Sequence, residues 1–212
     1  MKSKLITQLE NVLPKDMQIP EELRLLYKWI EENNFYIDDE NGKRVGLLYS
    51  PQSEPKGTII QFTCDEKDTW YWFDDNQDLE FKERFCCFAT STDGSMCGLW
   101  KSDTDEIKIV HIGSGSGSTL LCVLANNMLD FMRFLAIGYT EICWEEKFSF
   151  SPYEEDPNLE RNTYFENWVT KTFNIEIPQI ATEIIKYPST MEDDYSKDEF
   201  FNWCKSKFRF LE

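Results

Sequence analysis

The fold is decided by one stretch, which reads FCCFATSTDGSMCGLW (residues 85–100), IKIVHIGSGSGS (107–118) and TLLCVLANNMLDFMRFLAIGY (119–139). It is the densest apolar segment of the chain. The first two pieces are short apolar runs separated by turn residues, a pattern typical of strands. The third piece has apolar residues at helical spacing. It predicts a core helix from Thr119 to about Ile137, with Gly138 as its C-terminal cap.

Six strand candidates lie within this stretch and before it, and all of them are short and rich in β-branched or aromatic residues. An Asn41-Gly42 pair predicts a hairpin turn before them. No helix long enough for a parallel crossover lies among them, so the sheet is predicted to be largely antiparallel. The candidates are Val45–Tyr49, Thr58–Phe62, Trp70–Phe73, Arg84–Ala89, Met96–Trp100 and Ile107–Ile112.

Helices are predicted before and after the strands, which favours an α+β fold with helices packed on one face of a mainly antiparallel sheet. We expect residues 1–144 to form this domain and residues 145–212 to form a helical C-terminal extension packed on it. Besides the helix from Thr119, the predicted helices are residues 2–13, a helix opened by Pro20, Asn162–Phe173, a helix opened by Pro178, and FFNWCKSKFRF after a capping box from Ser196 to Glu199.

The chain is strongly acidic, with 39 Asp and Glu against 22 Lys and Arg in 212 residues, a net charge of −17. Direct nucleic-acid binding is not expected, because it depends on Lys and Arg that neutralise phosphates. The charge has two interpretations. It either keeps the protein soluble or attracts a basic partner by complementary potential.

The seven cysteines have no CxxC spacing, and most lie in apolar surroundings, which predicts buried, reduced thiols rather than a zinc site. They are Cys64, Cys86, Cys87, Cys97, Cys122, Cys143 and Cys204. No apolar run is typical of a signal peptide or a membrane span. We therefore expect a cytoplasmic protein that needs no metal and no cofactor.

The sequence offers little for catalysis. His111 is the only histidine, so serine, cysteine or multi-histidine metal chemistry would have to use this one residue. It is predicted to be a half-buried strand residue bonded to a neighbour. The loop Gly113–Ser118 lacks the lysine of a phosphate-binding loop, so it is predicted to be a flexible strand-to-helix connection, capped by Ser118 or Thr119. Paired carboxylates leave an acid/base hydrolase open as an alternative.

The residues chosen for partner binding combine aromatic rings with carboxylates: Trp72, Asp74, Asp75, Asp93 and Trp100. Trp and Tyr are enriched among the residues that dominate binding energy at protein interfaces. The segment Trp70–Asp75 has two interpretations, an ordinary aromatic strand or an exposed interface.

Residues 16–140 resemble the SUKH superfamily, which contains yeast cell-wall-assembly regulators and bacterial toxin-immunity proteins. The resemblance rests on the order of several short motifs. They are Ile19-Pro20-Glu21-Glu22-Leu23, Phe88-Ala89 before Asp93-Gly94, Leu99-Trp100, Ile109–Gly113 with the Gly/Ser loop, and Asp130-Phe131 with Phe134-Leu135. The segment FENWVTKTFNIEIP is also similar to the end of bacterial members. The resemblance implies an α+β fold and a variable binding face without a fixed catalytic set.

For function, the resemblance implies a bacterial immunity protein, not an enzyme, that binds and neutralises a cognate polymorphic toxin such as a nuclease or a deaminase. Its alternative is a regulatory scaffold that binds a cellular protein, as in cell-wall-assembly regulators. The sequence leaves the identity of the toxin and the oligomeric state open.

Overall fold

The computed structural model describes residues 2–64 and 79–207, and the predicted strand Trp70–Phe73 lies outside them. The fold is α+β, as expected: a four-stranded antiparallel sheet and a two-stranded hairpin, with helices around them. In the described residues the elements are α1 Lys4–Val12, α2 Glu21–Glu32, β1 Tyr36–Asp38, β2 Arg44–Gly46, α3 Leu79–Arg84, β3 Phe85–Thr90, β4 Met96–Lys101, β5 Ile107–Ile112, β6 Leu121–Ala125, α4 Met128–Ile137, α5 Pro152–Glu155, α6 Thr163–Phe173 and α7 Glu199–Lys207, with 3₁₀ turns at Glu145–Lys147 and Ala181–Glu183.

The four-stranded sheet is an antiparallel meander in the order β3-β4-β5-β6. Its register aligns Cys97 of β4 with His111 of β5, and His111 in turn with Cys122 of β6. Directly opposite residues point to the same side of a sheet. These three side chains therefore share one face.

Both faces of this sheet are buried, so the expectation that helices pack on one face only is wrong. Successive side chains of a strand point to opposite faces. In β4, Leu99 lies in a large core with residues of α1, α2, α4 and α6, whereas Trp100 lies in a second core under α3 and α7. A strand covered on both sides is apolar throughout, which explains why these strands read as continuous runs.

The predicted helix from Thr119 is wrong over its first half, which forms strand β6. Val123 pairs with Val110, and Cys122 pairs with His111. Helix α4 begins only after Asn127, whose side-chain oxygen accepts the backbone N–H of Asp130 at 2.8 Å. The helix ends where predicted, at Gly138, which has the left-handed φ of 96° typical of a C-terminal cap.

Among the N-terminal predictions, both helices and the hairpin turn are confirmed, and two strands are not. Helix α2 starts directly after Pro20, and Gly42 has a φ of 78° in the hairpin turn. Strand Val45–Tyr49 is present only as β2. The segment Thr58–Phe62 forms isolated bridges, from Phe62 to Gly46 and from Gln61 to Thr90, instead of a strand.

The C-terminal region covers the free edge of β6. The backbone N–H of Leu121 donates to the carbonyl of Ser189 at 2.7 Å, and that of Val123 donates to the Asp198 carboxylate at 3.0 Å. Helix α6 is confirmed, with Asn162 as its cap. The helix predicted from Pro178 is limited to the 3₁₀ turn, and α7 is capped by Asp198 rather than by Ser196.

Candidate functional site

The predicted partner contacts fall in three places. Trp72, Asp74 and Asp75 lie outside the described residues, so they stay predictions. Trp100 is 1% exposed and packs under α7, and the guanidinium carbon of Arg84 lies 5.6 Å from its ring. The prediction that Trp100 is a surface contact is therefore wrong, because the alternation of β4 turns its side chain into the second core.

Asp93 lies in the turn between β3 and β4, where it organises a cluster of serines. Its carboxylate accepts hydrogen bonds from the hydroxyl of Ser91, from the hydroxyl of Ser95 at 2.5 Å and from that of Ser114 at 3.4 Å. Burial acts to raise the pKa of Asp93, but the hydrogen bonds from Ser91 and Ser95 outweigh it and lower the pKa. Asp93 is thus a half-buried anion already bound within its own turn.

The Gly/Ser loop 113–118 joins β5 to β6, so the predicted strand-to-helix connection is wrong. Three of its backbone N–H groups donate to acceptors inside the loop, and that of Ser114 donates to the Ser95 hydroxyl at 3.0 Å. Gly117 and Ser118 donate to the hydroxyl of Ser114 at 3.0 and 3.3 Å, and Gly115 donates to the carbonyl of Ser118 at 2.8 Å. A phosphate cradle needs such groups to point at a ligand. This loop closes on itself instead.

His111 is fully buried, deeper than the half-buried position predicted, and the predicted bond to a neighbour is present. Its Nδ1 lies 2.9 Å from the carbonyl oxygen of Leu120, and its Nε2 has no hydrogen-bond partner in the described part of the chain. Burial lowers the pKa of His111, which favours the neutral imidazole. The ring faces Cys97 and Cys122 across the sheet.

These groups do not form a catalytic triad in the described residues. The hydrogen bonds of Asp93 come from serines, and within residues 2–64 and 79–207 the only hydrogen-bond partner of His111 is the backbone carbonyl of Leu120. Burial raises the pKa of the Cys97 thiol, and it raises that of Cys143 to about 12. A cysteine nucleophile acts as the thiolate, so both thiols are held in the unreactive form.

The seven cysteines are buried, as expected. In the described ranges, no group of three or more His, Cys, Asp or Glu side chains is placed to hold a metal ion. Buried thiols of this kind pack as small apolar side chains.

An open groove of about 700 Å³ lies between the end of α1 and the start of α2, and sequence reasoning missed it. We call it the α1–α2 groove. Its apolar lining is Leu13, Pro14, Met17, Ile19, Pro20 and Ile107, and its polar lining is Glu10, Lys15, Gln18, Glu21 and Arg24. The local signal for the groove is a pair of prolines. Pro14 and Pro20 lie at the two ends of the linker between α1 and α2. Ile107 of β5 is distant in sequence, and it joins the lining only because the fold brings it next to residues 13–24.

Comparison with models of known protein families, with curated proteins and with solved structures found no match to this chain. Within residues 2–64 and 79–207, no helix combines the length and the apolar character needed to cross a membrane.

Proposed function

We propose that this chain is an immunity protein that binds a cognate protein toxin, such as a nuclease or a deaminase, and neutralises it. The observation that carries the proposal is the charge of −17, with 39 acidic against 22 basic side chains. A nuclease that holds a phosphate backbone needs a basic surface. An acidic inhibitor is steered to such a surface and competes with nucleic acid for it.

The charge is concentrated in parts of the surface. Residues 141–160 contain seven carboxylates and one base, Lys147. Phe150 in the same segment is 53% exposed, although large apolar side chains are usually covered. Acidic groups around an exposed ring suit a protein partner with a cationic face, since interfaces combine aromatic anchors with complementary charge.

In this role the protein binds the toxin stoichiometrically and does not turn over a substrate. The support is that the groups that could react already make hydrogen bonds within the protein. These groups are the Asp93 carboxylate, the Ser114 hydroxyl and the His111 imidazole. The resemblance of residues 16–140 to the SUKH superfamily adds weight from sequence alone, since bacterial members of that superfamily bind toxins.

The experiment is a titration of the product of the adjacent gene, which this proposal takes to be the toxin, with the purified protein. We expect a one-to-one complex, loss of toxin activity at one equivalent, and association that slows as salt is added, because exposed charges are screened. Cells that produce the toxin should survive only when this protein is present.

Three results would contradict the proposal. Inactivation of many toxin molecules by one molecule of this protein would indicate an enzyme. Absence of a complex together with unprotected cells would remove the immunity role. A stable complex with a housekeeping protein in place of the toxin would favour the regulatory scaffold.

A further inference from the structure

Two exposed large side chains in the described ranges have no polar atom, Ile37 and Phe150, which are 52% and 53% exposed. Single exposed apolar side chains are common, so exposure alone indicates little. Their surroundings differ. Next to Ile37, the carboxylate of Asp38 already pairs with Lys4 and Arg44. The charges next to Phe150 are not balanced in this way.

Phe150 lies in an acidic segment, residues 145–156, which we call the Phe150 surface. The 3₁₀ turn Glu145–Lys147 comes before the ring, and α5 begins two residues after it. The segment holds five carboxylates and one ammonium group, so its net charge is −4. Within residues 2–64 and 79–207, no ion pair involves any of these groups. Their charge is therefore available to a partner.

The cations of the neighbouring segments do not cancel this charge. Each of them already bonds a glutamate: Lys56 bonds the carboxylate of Glu160 at 2.6 Å, Arg161 that of Glu166 at 3.1 Å, and Lys186 the backbone carbonyl of Glu183 at 3.4 Å. The first two pairs are neutral, and the Glu183 carboxylate offsets Lys186. The Phe150 surface therefore keeps its negative charge.

Hydrogen bonds of the backbone hold Phe150 in its exposed position. Its N–H donates to the carbonyl of Lys147 at 3.0 Å, and its carbonyl accepts the hydroxyl of the buried Tyr139 at 2.7 Å. Two residues earlier, the ring of Phe148 is fully buried. A backbone that is fixed before binding has little freedom left to lose when its side chain enters a pocket. Phe150 thus suits the role of an anchor, since one aromatic ring in a partner's pocket often dominates the binding energy of an interface.

We propose that the Phe150 surface is where this protein docks to its partner, and that the partner presents an apolar pocket rimmed by lysines or arginines. Phe150 enters the pocket, while Glu146 and Glu154, which are exposed before and after the ring, pair with the rim. The inference rests on the proposed function for the identity of the partner, a basic toxin. A second copy of this chain does not fit, because its own Phe150 surface carries the same negative charge.

The first test removes the ring. Phe150→Ser leaves the backbone hydrogen bonds in place, and an amide spectrum unchanged outside residues 145–156 shows that the variant is folded. Tyr195→Ser is the matched control, because Tyr195 is the most exposed aromatic side chain of the described ranges, at 87%.

The second test removes charge from the rim. The variant is the double change Glu146→Gln and Glu154→Gln. Its control, Glu32→Gln and Glu40→Gln, alters the net charge equally at exposed positions outside the Phe150 surface. A difference between the two variants separates local pairing from diffuse attraction.

The probe is per-amino β-cyclodextrin, a ring of sugars with an apolar cavity and a rim of ammonium groups, and backbone amide chemical shifts follow its binding. We expect the shifts to centre on residues 145–156. Phe150→Ser should weaken binding about tenfold or more, and Tyr195→Ser less than about threefold. The rim variant should weaken binding about threefold more than its control at low salt. Neutral β-cyclodextrin should bind more weakly than the cationic form.

Two results would overturn the Phe150 surface as the docking site. One is equal binding of the probe to the wild type and to Phe150→Ser, and the other is equal effects of the two charge variants. Failure of the proposed function is distinguishable from either. If the wild type and Phe150→Ser neutralise the product of the adjacent gene equally, the Phe150 surface fails and the immunity role stands. If neither neutralises it while the shifts centre on residues 145–156, the immunity role fails and the docking site stands.

Discussion

The carboxylate of Asp198 accepts the backbone N–H of Val123 at 3.0 Å across 75 residues of sequence. Its other oxygen accepts the N–H of Phe201 at 2.8 Å and so caps α7. One buried side chain therefore fixes the start of a helix and completes the edge of a sheet. Burial disfavours the charged form of this carboxyl group, and it raises the pKa of Asp198 to about 6.

Replacement of Asp198 by Ala should destabilise the protein, because the buried N–H of Phe201 and the half-buried N–H of Val123 lose their acceptor. We expect the free energy of unfolding in urea to fall by about 2 to 3 kcal/mol, the sum of a lost helix cap and an unsatisfied amide. Glu192→Ala, at an exposed position in the same loop, is the control and should change it by less than about 0.5 kcal/mol. Equal effects of the two changes would contradict the role of Asp198.

The pH dependence of stability should identify Asp198 directly. Its folded-state pKa of about 6 lies above the ordinary 3.8, so its contribution is fully present below pH 3.8 and is lost as the pH rises through 6. Asn keeps one acceptor oxygen and does not titrate. The stability of the wild type relative to Asp198→Asn should therefore fall by about 2 to 3 kcal/mol between pH 3.5 and pH 7. A difference that stays constant over this range would contradict the raised pKa.

His111 should titrate at an acidic pH. Since it is the only histidine, its imidazole gives a single set of ring signals by NMR. Burial lowers its pKa from 6.5, so the midpoint should lie below that value. The lowered pKa means that stability is intact above pH 6.5 and decreases as the pH falls through the midpoint. A midpoint at or above 6.5 would contradict burial as the dominant influence on the pKa of His111.

Gly98 should tolerate no side chain, because Phe85 of the neighbouring strand occupies the space. A Cβ at Gly98 would lie 2.1 Å from Cε2 and 2.3 Å from Cζ of the Phe85 ring. Gly98→Ala should lower the free energy of unfolding by about 2 to 3 kcal/mol, as overpacking does. The same change in a Phe85→Leu background should cost at least about 1 kcal/mol less, because contacting residues are not additive. Additive costs would place the strain elsewhere.

The local sequence predicted those helices that begin or end at a residue known to start or cap helices. Helix α2 begins after Pro20, α6 begins after Asn162, and α4 ends at Gly138, each at a residue that caps or starts helices. The antiparallel class of the sheet was also predictable, because short strands separated by turns leave no room for crossovers.

The failures share one cause, which is contact between distant residues. Leu121–Ala125 reads as helix because Leu, Cys, Val and Ala at short spacing suit either structure. It becomes a strand through its pairing with β5 and the contact of Val123 with Asp198. Trp100 was expected at the surface because α7, which buries it, lies a hundred residues later. The groove needs Ile107 beside residues 13–24, and no local pattern contains that contact.

The C-terminal residues that cover the free edge of β6 are synthesised well after the strand itself. A ribosome produces the chain from the N-terminus, so Val123 of β6 is made 75 residues before Asp198. Until then, the nascent sheet presents an open row of amide groups, the kind of edge on which chains aggregate. The nascent protein is therefore most exposed to misassembly until residues 189–198 have been made. A codon change or a truncation after residue 190 should lower the yield of folded protein. We expect the loss to be larger than the short length of the affected segment would suggest.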